Sequence, residues 1–210
     1  MLFGASSFIG FGLALQQWDQ DSYGVRGAAE PYNFFGASLA AGDFNWDGVD
    51  DLAVGVPGED VNGYVGAGMV KVLYGYAGVG ITHLDDQIWH HDRAGTPERI
   101  EDDVRFGEKL SAGDFDGDGA ADLAILTGRD GDVEVVYGSR PGGLVSTWWS
   151  GLTLSPPYTL FSSLANGDFD GDGRADLVAG APSYYAGIVS VWYGGVASPL
   201  SDQEKWNQDR

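Results

Sequence analysis

One short segment occurs three times in this chain of 210 residues, and this repetition limits the fold more than any other feature. The copies read GDFNWDGVDDLA, GDFDGDGAADLA and GDFDGDGRADLV, and their first aspartates are Asp43, Asp114 and Asp168. These aspartates are 71 and 54 residues apart. Repetition at such a period indicates copies of one supersecondary unit that stack on each other to bury a continuous core.

The segments on either side of each copy are repeated as well. An alternating run such as VKVLY follows every copy, and the alternation places Val70, Val72 and Tyr74 on one face of a strand. A tryptophan recurs further on and is predicted to pack between units on an outer strand; the series is Trp18, Trp89, Trp149 and Trp206. Each unit therefore contains four short strands. The sequence predicts an all-β fold of three four-stranded antiparallel β-propeller blades.

The repeat divides the chain into segments of one propeller domain. The segments are a tail of a preceding blade with a linker at residues 1–33, and three blades at residues 34–92, 93–150 and 151–210. Gly4 and Trp18 are 14 residues apart, as are Gly75 and Trp89, so residues 13–18 are predicted to be a surplus outer strand. The apolar start is interpreted as a severed repeat rather than a signal peptide.

Three blades are fewer than a closed ring ordinarily needs, because propellers typically contain about four to eight. We therefore expect this domain to be part of a larger ring or of a ring that self-association completes. Symmetry favours a homo-oligomer over an assembly of different chains.

Composition agrees with many short strands and limits the possible partners. Hydrophobic residues make up 43% of the chain, and its 34 glycines follow no collagen period. The formal net charge of −20 argues against nucleic acid and anionic membranes, since both need a cationic surface. No segment is long and apolar enough for membrane insertion. The absence of cysteine excludes disulfides and thiolate metal sites.

The acidic residues are concentrated in three nine-residue segments, residues 43–51, 114–122 and 168–176, which we name the first, second and third Asp loops. Twelve of the 31 acidic residues lie in these 27 positions. Ca²⁺ takes about six to eight oxygen ligands, and alternate residues of a tight loop can direct oxygens towards one point. Glycine at position 6 permits the sharp turn. The loops therefore predict about three Ca²⁺ ions per chain, acting as structural clamps.

The predicted ligands are the side chains at positions 1, 3, 5 and 9 and the backbone carbonyl at position 7. They are Asp43, Asn45, Asp47, Val49 and Asp51 in the first loop, Asp114, Asp116, Asp118, Ala120 and Asp122 in the second, and Asp168, Asp170, Asp172, Arg174 and Asp176 in the third. Asn45 carries no charge, so the first site is predicted to be the weakest. The phenylalanines at position 2, Phe44, Phe115 and Phe169, are expected to point into the blade.

Other interpretations of the loops fit less well. An EF-hand needs a glutamate at position 12, where this chain has Val54, Ile125 or Ala179 in apolar runs. A phosphatase-type aspartate nucleophile would be expected once rather than three times. Ordinary Asp-Gly turns do not explain why the ligand spacing is preserved in all copies. No nucleophile motif such as Gly-x-Ser-x-Gly occurs, and we predict no enzymatic activity.

These residues resemble FG-GAP repeats, the blades of integrin alpha-subunit propellers. The resemblance is carried by Phe-Gly at residues 35–36 and 106–107, by GVP and GAP at residues 55–57 and 180–182, and by the Asp-x-Asp-x-Asp-Gly-x-x-Asp spacing. Leu-Thr-Gly at residues 126–128 and Leu-Phe at residues 160–161 depart from that pattern. The resemblance implies a calcium loop between the first two strands of each blade. It also implies a secreted or cell-surface protein that acts in adhesion or in recognition of protein or carbohydrate ligands.

Three alternatives remain open at this point. A lectin-like carbohydrate-binding module would need an exposed aromatic side chain beside polar groups in a pocket between blades. Separately, Trp46 at position 4 of the first Asp loop and Trp148, which has no equivalent in the other blades, are candidates for exposed tryptophans. A non-catalytic propeller of a secreted hydrolase, or a designed or purely structural repeat assembly, would need no such pocket. His90 and His91 have no obvious carboxylate partner and are expected to be solvated.

Overall fold

The computed structural model describes residues 15–25, 27–91, 100–145, 160–183, 186–195, 200 and 202–207. All regular elements within these ranges are β-strands. They are β1 (Ser38–Gly42), β2 (Asp51–Val56), β3 (Met69–Tyr76), β4 (Gly80–Trp89), β5 (Phe106–Gly113), β6 (Asp122–Thr127), β7 (Val133–Val136), β8 (Ser163–Gly167), β9 (Asp176–Ala181), β10 (Ile188–Tyr193) and β11 (Asp202–Asn207). The described part of the chain contains no helix with the length and apolarity needed to cross a membrane.

The strands form three antiparallel sheets, each made of strands consecutive in the sequence. The first sheet has the order β1-β2-β3-β4, the second β5-β6-β7, and the third β8-β9-β10-β11. The predicted fourth strand of the second sheet, with Trp149, lies outside the described residues. Four-stranded meanders of this kind are β-propeller blades, as the sequence predicted.

The hydrophobic core lies between the sheets. Val70, Val72 and Tyr74 on β3 share one face, as the alternation predicted, and they pack with Leu123 and Ile125 of the second sheet. A second cluster joins the other face of the second sheet to the third sheet. Each sheet therefore buries its apolar residues against the next sheet along the chain, and not against a separate layer.

Small residues allow adjacent sheets to approach closely beside the Asp loops. A Cβ atom added at Gly42 would lie 2.7 Å from the Cβ of Ala121, and one added at Gly113 would lie 2.7 Å from the Cβ of Ala175. Real Cβ atoms do not approach so closely, and here the other atom is a rigid Cβ that cannot turn away. The first strands of the first two sheets therefore need glycine at the position that precedes the loop.

The third sheet exposes a face that is buried in the first two sheets. Phe44 and Phe115 are fully buried, whereas Phe169 is 58% exposed. Trp206 on β11 is 56% exposed, although the corresponding Trp89 on β4 is buried. The ring of Phe169 lies over Gly167 of its own sheet, as Phe44 lies over Gly42, but it is not buried. The physical reason is that the described chain places no further sheet over this face.

The segment before β1 does not contain the predicted surplus strand in its described part. Residues 15–18 lie beside β4, where the side-chain amide of Gln16 donates to the Ile81 carbonyl at 3.2 Å and accepts from the Ile81 amide at 3.1 Å. Further on, Gln20 and Asn33 are buried and donate hydrogen bonds to the carboxylate of Glu59. This segment therefore interacts through side chains rather than through a strand ladder.

His91 is not solvated, which corrects the expectation from the sequence. Its imidazole is buried between the first two sheets, and Nε2 lies 2.7 Å from Oε1 of Glu134 on β7. Glu134 is also buried, and the ring of His91 stacks on Phe106 with 6.1 Å between the ring centroids. The partner was not evident from the sequence because it belongs to the next blade.

Replacing Glu134 with alanine is expected to destabilise the protein strongly. Removing one member of a buried pair leaves an uncompensated polar group, which typically costs about 3–5 kcal/mol. Urea unfolding at constant Ca²⁺ measures the loss. Glu108→Ala is the matched control, because Glu108 pairs with Arg105 in a partly exposed position, where an ion pair contributes about 0–1 kcal/mol. Equal losses in the two variants would contradict the structural role of the buried pair.

Candidate metal sites in the Asp loops

Each Asp loop joins the first strand of a sheet to the second, and its last aspartate is the first residue of that second strand. The carboxylate of Asp51 accepts hydrogen bonds from the amides of Phe44, at 3.0 Å, and Gly75, at 2.9 Å. Asp122 and Asp176 accept the equivalent two bonds at 2.7 and 2.9 Å. All three aspartates are buried. Position 9 therefore ties the start of its loop to the end of the third strand.

The aspartate at position 1 is held by the amides of the turn. In the second loop, the carboxylate of Asp114 accepts from Gly117 at 2.7 Å, from Asp118 at 3.1 Å and from Gly119 at 3.0 Å. Asp168 in the third loop accepts the same set of bonds at the same distances. In the first loop, Asp43 accepts from Asp47 and Gly48. The backbone amides of the turn therefore fix the orientation of this carboxylate.

Three of the predicted ligands are brought together in two of the loops. Carboxylate oxygens of Asp114, Asp116 and Asp122 lie within 4.8 Å of one another, and those of Asp168, Asp170 and Asp176 do the same. In the first loop the amide side chain of Asn45 replaces the acid at position 3. Its oxygen accepts a hydrogen bond from the Asp47 amide at 2.9 Å, and its nitrogen donates to the Asp47 carboxylate at 3.3 Å.

Position 5 is not part of these groups. Asp118 accepts a hydrogen bond from the amide of Ala120 at 2.8 Å, and Asp172 pairs with the guanidinium of Arg174. Asp47 accepts from the amide of Val49 at 2.9 Å. These carboxylates hold the amide of position 7, whose carbonyl was predicted to be a ligand. The predicted roles of positions 5 and 7 therefore stay predictions.

Burial, with a smaller contribution from neighbouring charges, raises the pKa of three of these carboxylates, Asp51, Asp116 and Asp122. Burial, reinforced by the charges of Asp116 and Asp114, raises the pKa of Asp122 to about 8 although backbone amides oppose the shift. Burial also raises the pKa of Asp51 to about 6, and that of Asp116 is raised for the same reason. A bound cation would offset the burial and the repulsion together and would favour the ionised carboxylates.

The donor set fits a hard divalent cation. All side-chain donors are oxygens, which suit Ca²⁺ or Mg²⁺ and not the metals that prefer sulfur or imidazole. Oxygens about 2.3–2.6 Å from one Ca²⁺ ion are at most about 5 Å apart. The separation of up to 4.8 Å within each carboxylate group is compatible with that limit. Mg²⁺, which is smaller, needs a tighter set.

Sequence reasoning missed direct hydrogen bonds between successive loops. The amide of Ala121 donates to the carbonyl of Asp43 at 2.9 Å, and the amide of Ala175 donates to the carbonyl of Asp114 at 2.9 Å. The alanine lies at position 8 of one loop, and the acceptor lies at position 1 of the loop before it. The small side chain at position 8 was the only feature of the sequence that pointed to these bonds, because hydrogen bonds between backbone atoms do not require a particular side chain.

The comparison with known proteins agrees with the arrangement of the loops. The FG-GAP repeat family matches residues 35–73 and 161–192, which contain the first and third Asp loops. This chain is built from FG-GAP repeats. The FG-GAP match ends at the third strand of the blade in both segments, because β3 and β10 include residues 73 and 192.

Similar proteins share these repeats over most of the chain. Phosphatidylinositol-glycan-specific phospholipase D of Homo sapiens is 34% identical over 194 residues, which are 84% of this chain and 22% of that protein. Integrin alpha-5 of Xenopus laevis is 30% identical over 165 residues, or 71% of this chain and 15% of the integrin. Integrin alpha-PS2 of Drosophila melanogaster is 31% identical over 173 residues, with 71% and 12% covered. The FG-GAP chain therefore spans about a fifth or less of these relatives.

Replacing Asn45 with aspartate is expected to strengthen Ca²⁺ binding at the first loop by about tenfold, because the number of charged ligands tunes affinity over orders of magnitude. Isothermal titration calorimetry measures the change. Asn62→Asp adds the same charge at an exposed position outside the loops and serves as the control. A similar gain in both variants would mean that general charge, and not the ligand at position 3, determines the affinity.

Proposed function

We propose that this chain is a calcium-binding β-propeller module for extracellular adhesion or ligand recognition, in which Ca²⁺ is a structural clamp. The observation that carries the proposal is the grouping of carboxylate oxygens within 4.8 Å in two Asp loops, each fixed by backbone amides. The first loop repeats this backbone arrangement with Asn45 at position 3. About three ions per chain follow from the three loops.

The position-9 aspartates support a structural role for the ion. Asp51, Asp122 and Asp176 connect their loops to the ends of the third strands, so an ion bound there stabilises the connection between three strands. Ca²⁺ at about 100 times its Kd would add about 2.7 kcal/mol of stability at each site. Three sites would approach the stability of a typical domain, which is about 5–15 kcal/mol.

A secreted or cell-surface location and a non-catalytic role are part of the same proposal. The similar proteins include integrin alpha subunits and a phospholipase D, and what they share with this chain is the FG-GAP repeat region. One fold region common to an enzyme and to integrins supports a role in binding rather than in catalysis. A non-catalytic propeller of a secreted hydrolase remains the second candidate, because the phospholipase D relatives cover 84% of the chain.

We further propose that a second copy of the chain covers the exposed face of the third sheet. Phe169, Val189 and Trp206 are 58%, 41% and 56% exposed there. The equivalent residues Phe44 and Val70 of the first sheet are fully buried against the next blade. A face built to pack against another blade gains stability when it is covered, since burial of apolar surface contributes about 25 cal/mol per Å².

Removing Ca²⁺ is expected to lower the midpoint of thermal unfolding, and Asp114→Ala is expected to remove one bound ion per chain. Titration calorimetry counts the ions, and calorimetric scans with and without EDTA give the midpoints. Asp130→Ala, an exposed acid outside the loops, should keep the full number of ions. Absence of any Ca²⁺ binding, or an unchanged ion count in Asp114→Ala, would overturn the proposed function.

Placing a charge on the exposed face is expected to prevent self-association. Phe169→Glu should sediment as a monomer in Ca²⁺, while the unmodified chain sediments as an oligomer, because a buried unpaired carboxylate is strongly unfavourable. Val79→Glu changes an apolar residue that is 65% exposed in the β3–β4 turn, and it should leave the oligomer intact. A monomeric unmodified chain would refute the second-copy proposal without affecting the calcium sites.

A further inference from the structure

A cleft of about 690 Å³ opens between the first and second blades, beside the first Asp loop. Three parts of the chain form it: the first loop, the end of β3 with the middle of β4, and the segment after β7. Its lining residues are Asn45, Trp46, Asp47, Tyr74, Tyr76, Asp85, Arg140, Pro141 and Gly142. The volume lies within the range of about 300–1,000 Å³ that is usual for small-molecule sites.

Trp46 is the most unusual residue in the cleft. It occupies loop position 4 with a φ of 55°, where the second and third loops have Gly117 and Gly171 with φ of 78° and 79°. The left-handed conformation costs a non-glycine residue about 1–2 kcal/mol. The indole is 47% exposed, so burial offsets only part of that cost. Strain kept at one exposed position, with unstrained glycine in the two equivalent positions, points to a binding role.

Neighbouring groups hold the Trp46 ring in place. The guanidinium of Arg140 lies 5.2 Å from the ring centroid, in a cation–π contact. The ring also approaches Gly119 of the second loop, where an added Cβ would lie 3.2 Å from two of its atoms. The indole, which belongs to the first blade, is therefore held by two contacts with the second blade, and its exposed part faces the cleft.

The other cleft residues supply hydrogen-bonding groups of both kinds. Tyr76 is 37% exposed, and its hydroxyl lies 3.5 Å from Oδ2 of Asp85. The carboxylates of Asp85 and Asp47 accept hydrogen bonds, whereas Arg140 donates them. The carboxylates disfavour an anionic ligand, and the Arg140 cation beside the indole disfavours a cationic one. Aromatic rings beside mixed donors and acceptors suit a neutral ligand that has both an apolar face and many hydroxyl groups.

We propose that this cleft binds a neutral saccharide. The C–H face of a sugar ring would lie against the exposed part of Trp46, and its hydroxyl groups would bond to Asp85, Tyr76 and Arg140. The inference rests on the recognition role proposed above and specifies its ligand class. It does not need an ion in the first loop, although that loop positions Trp46.

The test is binding of the tagged, Ca²⁺-loaded chain to an array of neutral mono- and oligosaccharides, followed by calorimetric titration of the strongest sugar found. Trp46→Gly is expected to weaken this binding by about tenfold or more, because it removes the aromatic ring. Asp85→Asn, which keeps the size of the side chain, is expected to weaken it by a similar factor through loss of a charged acceptor. Tyr32→Ala removes an aromatic residue that is 79% exposed outside the cleft and should bind normally.

Calcium titration of the same variants separates the two proposals. Asp85→Asn lies on β4, outside the Asp loops, so it should fold and bind Ca²⁺ as before. Unchanged Ca²⁺ binding with no sugar bound by the unmodified chain would refute the saccharide site alone. Sugar binding that Trp46→Gly retains would refute it as well. Absence of Ca²⁺ binding by the unmodified chain would refute the proposed function instead.

Discussion

The structure depends on one interaction that is repeated three times, in which a buried aspartate accepts hydrogen bonds from two backbone amides. Asp51, Asp122 and Asp176 each connect the start of a loop to the end of the third strand. A buried carboxylate is costly unless it is fully hydrogen bonded or balanced by a cation. The raised pKa of Asp122 is the measure of that cost, since burial is its main cause. The same three aspartates are therefore needed both for the geometry of the blades and for the proposed metal binding.

Neighbouring blades are connected through these same loops. The carbonyl of Asp43 accepts a hydrogen bond from the amide of Ala121, and the carbonyl of Asp114 accepts one from the amide of Ala175. The aspartate at position 1 therefore has two roles. Its carboxylate binds amides of its own loop, and its carbonyl binds the next loop. Close approach at Gly42 and Gly113 makes this possible. An ion that orders one loop would therefore also order the edge of the adjacent blade.

The sequence predicted what depends on local pattern and missed what depends on neighbours. Alternation identified the buried face of β3, and the loop spacing predicted groups of carboxylates, of which those at positions 1, 3 and 9 come together in two loops. The solvation predicted for His91 was wrong, and the exposure of Phe169 was not foreseen, because each is decided by an adjacent sheet. The backbone conformation of Trp46 was not predicted, although the aligned loops already showed glycine at this position in the other two copies.

The two outer blades of the described chain differ in how they end. Lys71 and Leu73, on the face of β3 that points away from the second sheet, are fully buried, and Gln20 and Asn33 hold the preceding segment near this face through Glu59. Phe169 and Trp206 at the opposite end are uncovered. Joining the two different ends of successive copies would displace the covering segment, and it would build a closed ring if the rotation between copies closes or an open fibre if it does not. Contact between two identical uncovered ends would instead give a closed pair with two-fold symmetry.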